Sequence, residues 1–171
     1  MNTGIPTQAD FQLPPERVQD LDGWHAWETF GGRSLDEAYA IFQQNAFAYL
    51  EDLMWMPPKP FCFYLPVAGR YLESPTSSGD SDMVSCLAST LEFHFERGHD
   101  ISAAFSCIGK IADYVLSHYS KFAIQEHIYG DLRPRYAGLR SKIGEPDGAA
   151  NGSQPIRSEK NGTSGAAGSR R

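Results

Sequence analysis

The sequence lacks most of the patterns that announce a chemistry. It has no G-x-G-x-x-G turn, no Walker loop, no G-x-S-x-G elbow, no H-E-x-x-H pair and no C-x-x-C. The enzyme classes that a single sequence can reveal are therefore removed, and no reaction is assigned. Cysteine is scarce: Cys62, Cys86 and Cys107 are odd in number and widely spaced. That suits reduced thiols better than a disulfide framework. No apolar run is long enough to cross a bilayer. The N-terminus has no basic segment leading into an apolar one, so no signal peptide is expected and the predicted location is cytoplasmic.

Positive charge is also in short supply. Residues 1–100 carry 5 Lys/Arg against 15 Asp/Glu, whereas residues 101–143 carry 6 against 3. Phosphate contact needs a basic face, so an acidic body excludes broad nucleic-acid binding. Arg133, Arg135, Arg140 and Lys142 form the one basic cluster, and cations in a last helical turn are the expected reading.

What is present is enough for a core: 41% of residues are hydrophobic and 12% aromatic. The length of 171 residues fits one domain with tails. Residues 1–12 show no period and are expected to be flexible. Residues 13–143 are expected to form a single helical domain, and 144–171, rich in Gly, Ser, Ala and Asn, a disordered tail.

Apolar spacing in the body is helical throughout. "LPPERVQDLDGWHAW" suggests a short helix stopped by Gly23, with Trp24 and Trp27 beyond it. "SLDEAYAIFQQNAFAYLEDLMW" suggests one amphipathic helix of about 20 residues, roughly 30 Å long, opened by a Ser34–Glu37 capping box. Pro57 stops it. The next helix is expected to start near Phe63, with a short strand over "FCFYL" as the alternative. Asp80 or Ser81 caps a helix that Gly98 ends. Asp100 starts another at once, so these two are expected to form a tight antiparallel hairpin. Asp131 caps a last short helix. The predicted fold is mostly α: a compact bundle of about six helices.

Phe61, Phe63, Tyr64, Leu65 and Pro66, followed by Ala68 and Leu72, resemble an F-x-Y-Y-L-P-A-Y-L motif of small uncharacterised bacterial helical proteins. The likeness covers about residues 51–73, and Val67 stands where that family usually has Ala. It implies an α-helical domain and brings no activity with it. Some such acidic proteins lie among toxin-immunity genes, which suggests an immunity- or adaptor-like role by analogy. In this reading Met54, Trp55 and Met56 end one helix, three prolines turn the chain, and the aromatics close the corner.

Two functional readings follow. The leading one is a protein-binding module with an acidic surface, whose partner is a basic protein. Its candidate residues are Trp24, Trp27, Glu51, Asp52 and Trp55, because aromatics concentrate interface energy. Core roofing is the competing role for Trp24 and Trp27. The alternative is a small metal-dependent enzyme using some of Glu92, Glu96, His99 and His127; the competing reading of that segment is an acidic solvent face with His94 at its border. The helical spacing does not make these residues converge, so no metal or cofactor is expected. A homo-oligomer is a third possibility. "FGGRS" before Ser34 has the makings of an anion site, but the capping box claims the same N–H groups.

Overall fold

Proline, capping residues and glycine set most of the helix boundaries in the computed structural model, which describes residues 4–144. The helices are α1 (Leu21–Phe30), α2 (Leu35–Phe42), α3 (Ala46–Trp55), α4 (Pro58–Glu73), α5 (Ser81–Glu96), α6 (Phe105–Ser117), α7 (Glu126–Tyr129) and α8 (Arg133–Lys142). There is no strand among the described residues, so "FCFYL" is helical, inside α4. The fold is mostly α and compact. No helix among the described residues is long and apolar enough to cross a membrane. The expectation of a disordered tail concerns residues that, from 145 on, lie outside those described.

The long helix expected over 34–55 is two helices. Asn45 leaves helical geometry (φ −159°, ψ 75°), and its side chain accepts the Ala48 N–H at 3.3 Å. Asparagine bonds readily to nearby backbone, which makes it a good cap and a poor interior residue. The chain changes direction there: α2 packs on α4, while α3 packs on α1, α4 and α5. The Ser34–Glu37 box forms as expected, with Ser34 N–H donating to Glu37 Oε2 at 2.9 Å and Glu37 N–H to Ser34 Oγ at 3.3 Å.

The proline corner is tighter than the sequence suggested. Pro57 is the N-cap of α4 and Pro58 its first residue, so the helix starts five residues before Phe63. The first turn of a helix has no internal use for its N–H groups, so Pro58 and Pro60 forfeit nothing there. The first ladder bond is Phe61 N–H to Pro57 O at 3.0 Å. Pro66 stands inside the helix. Phe61, Tyr64, Leu65, Ala68 and Leu72 are all fully buried, so α4 is the central core helix.

Gly98 ends α5 with φ 65°, a conformation glycine adopts at little cost. The expected α5–α6 hairpin does not form as a close pair. The main neighbours of α5 are α3 and α8, and those of α6 are α4 and α8. The buried Ile101 and a 3-10 turn over Ser102–Ala104 carry the chain from one layer to the other.

Residues 4–12, expected to be flexible, are seated on the body. Phe11 is buried, Lys59 Nζ donates to Asp10 Oδ1 at 2.6 Å, and Gly32 N–H donates to Pro6 O at 3.2 Å.

Candidate functional site

Helix α1 begins at Leu21, so Gly23 does not end a helix but sits in its first turn. The Asp20 side chain caps that turn by accepting the Gly23 N–H at 2.8 Å. A Cβ on Gly23 would come within 2.1 Å of Asp20 Oδ2, so a side chain there would push the capping carboxylate aside. With the start fixed there, Ala26 and Phe30 point into the core, and Leu21, Asp22, His25 and Glu28 are exposed. Trp24 and Trp27 lie between the two faces, both half-buried. The indole N–H of Trp24 donates to Pro14 O at 3.2 Å. Trp27 sets its edge against Phe11, with ring centroids 5.2 Å apart, and leaves no room for a Cβ on Gly31.

On α3, Leu50 and Leu53 face the core, while Phe47 and Glu51, one turn apart, are exposed. Trp55 follows one further turn along, at 37% exposure. It stands edge-on to Phe93 at 5.5 Å, and the Arg97 guanidinium lies 5.8 Å from its ring. Helices α1 and α3 run antiparallel side by side: Phe30 meets Tyr49 at 6.1 Å, and His25 meets Asp52 nearer the opposite end.

Asp52 was expected at the surface beside Glu51. It is instead 4% exposed, because it lies on the turn of α3 that faces α1. One carboxylate oxygen lies 2.6 Å from His25 Nδ1. The other is buried with no hydrogen-bond partner among the described residues. The Thr29 side chain adds a smaller stabilising influence on the charged form. Burial pushes the Asp52 carboxyl up, opposed by the bond to His25. The same bond and the Asp52 charge raise the His25 imidazole above its ordinary value, against a small opposing effect of burial. Of the pair, the histidine side chain is 61% exposed and the aspartate 6%. Beside it Arg17 forms a two-pronged, exposed ion pair with Glu28. Sequence reasoning nominated Asp52 but not His25. The two are 27 residues apart, and no local spacing connects them.

The second histidine group is differently built. His94, expected at a solvent border, is fully buried and stacked on Phe61 with centroids 3.7 Å apart. Its Nε2–H donates to the Leu53 carbonyl at 3.1 Å, which leaves Nδ1 to accept from His99 Nδ1–H at 2.9 Å. Burial holds the His94 imidazole down at about 4. Glu92 is paired with Arg135 on α8 (Nε to Oε1, 3.0 Å), and Glu96 and His127 are exposed. Among the described residues no three His, Cys, Asp or Glu side chains gather as a metal site.

The remaining candidates are accounted for locally. Arg133 pairs with Asp131, Arg135 with Glu92 and Arg140 with Asp113, so these arginines are engaged on the protein itself. The Ser34–Glu37 box occupies donors that an anion at "FGGRS" would need. Cys62 and Cys107 line a recess of about 380 Å³ between α4 and α6. Burial pushes both thiols up, Cys107 to about 11, which disfavours the nucleophilic thiolate. A second recess, of about 260 Å³, lies between α6 and α8.

No protein-family model matches the chain, and neither the curated proteins nor the solved structures contain a match to it.

Proposed function

We propose that the chain is a protein-binding module, immunity- or adaptor-like, that docks a basic segment of a partner protein on the outer face of α1 and α3. The supporting observation is the composition of that face. Leu21, Phe47 and Trp55 are exposed apolar side chains, and Asp22, Glu28 and Glu51 are exposed acids among them. Residues 16–55, which include both helices, hold 8 Asp/Glu and 2 Lys/Arg. Arg17 on Glu28 and Arg97 beside Trp55 are cations at this face, and apolar anchors in a predominantly acidic surround suit a partner of opposite sign, because charge steers encounter while aromatics supply affinity. Trp24 and Trp27 contribute mainly by holding α1 in place, since both are half-buried in internal contacts. The likeness of residues 51–73 to small bacterial helical proteins is compatible with this role and adds no activity. No observation favours the metal-dependent alternative: Glu92 pairs with Arg135, His99 bonds to His94, Glu96 and His127 are exposed, and among the described residues no three such side chains gather.

The test is titration of the chain with a fluorescein-labelled peptide of mixed Lys, Arg and Leu residues at two salt concentrations. Saturable binding that weakens at high salt and falls at least tenfold in Trp55→Ala and in Glu51→Lys is expected. Binding unchanged in both variants would remove the α1–α3 face from the function.

A further inference from the structure

The His25–Asp52 pair contains a feature that packing does not require. Asp52 is nine-tenths buried, yet one of its oxygens has no partner at full hydrogen-bond geometry among the described residues, and beyond His25 only the Thr29 side chain supports its charge. A well-packed apolar side chain would avoid that desolvation. What the carboxylate does provide is a fixed orientation for His25. A carboxylate only accepts, so the Nδ1 at 2.6 Å carries a proton. In the neutral ring the lone pair then sits on Nε2, on a side chain that is mostly exposed.

A carboxylate–histidine pair can serve as a general base, but the surroundings favour recognition. The two recesses described above lie on α4, α6 and α8, not at this pair. The nearby hydroxyl, Thr29, acts on Asp52, at the far end from Nε2. Three charged groups act on His25: Asp52 from α3, Glu28 one turn along α1, and Arg17 from the 3-10 turn Arg17–Gln19. Two of the three are anionic, and Glu51 adds its charge beside Asp52. A polarised acceptor in a negative field is matched by a cationic N–H donor.

Building on the docking function argued above, we propose that Nε2 of His25, backed by the buried Asp52 carboxylate, accepts one lysine or arginine N–H of the basic partner. Arg17 already occupies the neighbouring Glu28 carboxylate. It stands where a second partner cation would bind, and an exposed pair of this kind is readily exchanged. Because a proton and the partner's cation compete for the same lone pair, docking releases a proton from His25. By linkage, affinity falls as His25 becomes protonated, approaching about tenfold per pH unit well below its titration midpoint.

The experiment is fluorescence anisotropy with the same Lys/Arg/Leu peptide between pH 5.5 and 8.5, using the wild-type chain, His25→Gln and Arg17→Gln. Glutamine keeps a polar side chain next to Asp52 and does not titrate. The wild type is expected to bind more weakly as pH falls, His25→Gln to show a flat profile, and Arg17→Gln to bind severalfold more tightly near pH 8.5 with the same fall displaced to higher pH, because the Arg17 charge holds the His25 titration down. In the wild type the peptide should also lower the NMR titration midpoint of His25. A flat wild-type profile with clear binding, or a slope that survives in His25→Gln, would overturn the acceptor role and leave the docking face standing. Absence of binding at every pH would overturn the docking function and this inference together.

Discussion

The imidazole of His94 donates its Nε2–H to the carbonyl of Leu53 across 3.1 Å, joining α5 to the C-terminal end of α3. The last carbonyls of a helix have no internal partner, so a buried donor from another helix answers a need that α3 cannot meet alone. The stacked Phe61 ring and the surrounding core keep the imidazole neutral.

Acid stability follows from that burial. The folded value of His94 is about 4, below the ordinary 6.5. Between these values the unfolded chain binds the extra proton and the folded chain does not. Stability is therefore full above about pH 6.5 and declines as pH falls toward 4, by on the order of 3 kcal/mol in total. Urea midpoints at pH 7, 6 and 5 should fall accordingly, and His94→Gln should flatten that slope. A slope unchanged in His94→Gln would place its origin elsewhere.

His25 should respond in the opposite direction. Its folded value is raised, first by the hydrogen bond to Asp52. The stability it contributes is fully present below its unfolded value and is lost as pH rises through the folded one. Asp52→Asn removes the charge and should lower the NMR titration midpoint of His25. A midpoint that stays where the wild type has it would mean that the carboxylate does not govern the ring.

Asn45→Ala removes the cap that separates α2 from α3. A loss of about 1 kcal/mol is expected in urea unfolding. Asn45→Asp keeps an acceptor at the cap and should behave nearly as wild type. Equal losses in the two variants would argue against the cap.

Gly31→Ala places a methyl group where the Trp27 ring now lies, within 1.9 Å of its nearest atom. The ring must shift and its edge contact with Phe11 must readjust, at a cost on the order of 1–3 kcal/mol. Tryptophan emission and thermal midpoint should both change. Gly32→Ala, beside it, has open space at its Cβ and carries only the strain of φ 71°, so its emission should remain that of the wild type.

Lys121→Met tests the end of α4. The Lys121 ammonium donates to the Ser74 carbonyl at 2.9 Å and to the Tyr114 hydroxyl at 3.1 Å, and also reaches the Leu72 carbonyl. A cation there also suits the negative end of the helix. Its loss should cost on the order of 1–3 kcal/mol by urea unfolding, since charged hydrogen bonds of this kind are among the stronger ones. A variant as stable as wild type would mean that water replaces the ammonium freely.

The amino-acid sequence by itself determined the helical class and several boundaries. Apolar steps of three and four residues, the Ser34–Glu37 box, the Asp80 cap and the Gly98 stop are local signals, and local backbone geometry answers them directly. Three boundaries differ from expectation although their signals are also local: Asn45 is a cap, Gly23 fits beneath the Asp20 carboxylate, and Pro58 opens α4 in place of the expected start near Phe63. What only the tertiary structure decided was which side chains meet. Helical spacing places Asp52 and His94 on particular faces, but not what packs against those faces. Burial of His94 depends on Phe61 and Leu53 arriving from α4 and α3. The partnership of His25 with Asp52 depends on α1 and α3 lying antiparallel. The hairpin expected of α5 and α6 gave way because each helix buries its apolar face against other helices. Periodicity states that an apolar face must be buried, and only the competition among all the faces of the chain settles which neighbour covers it.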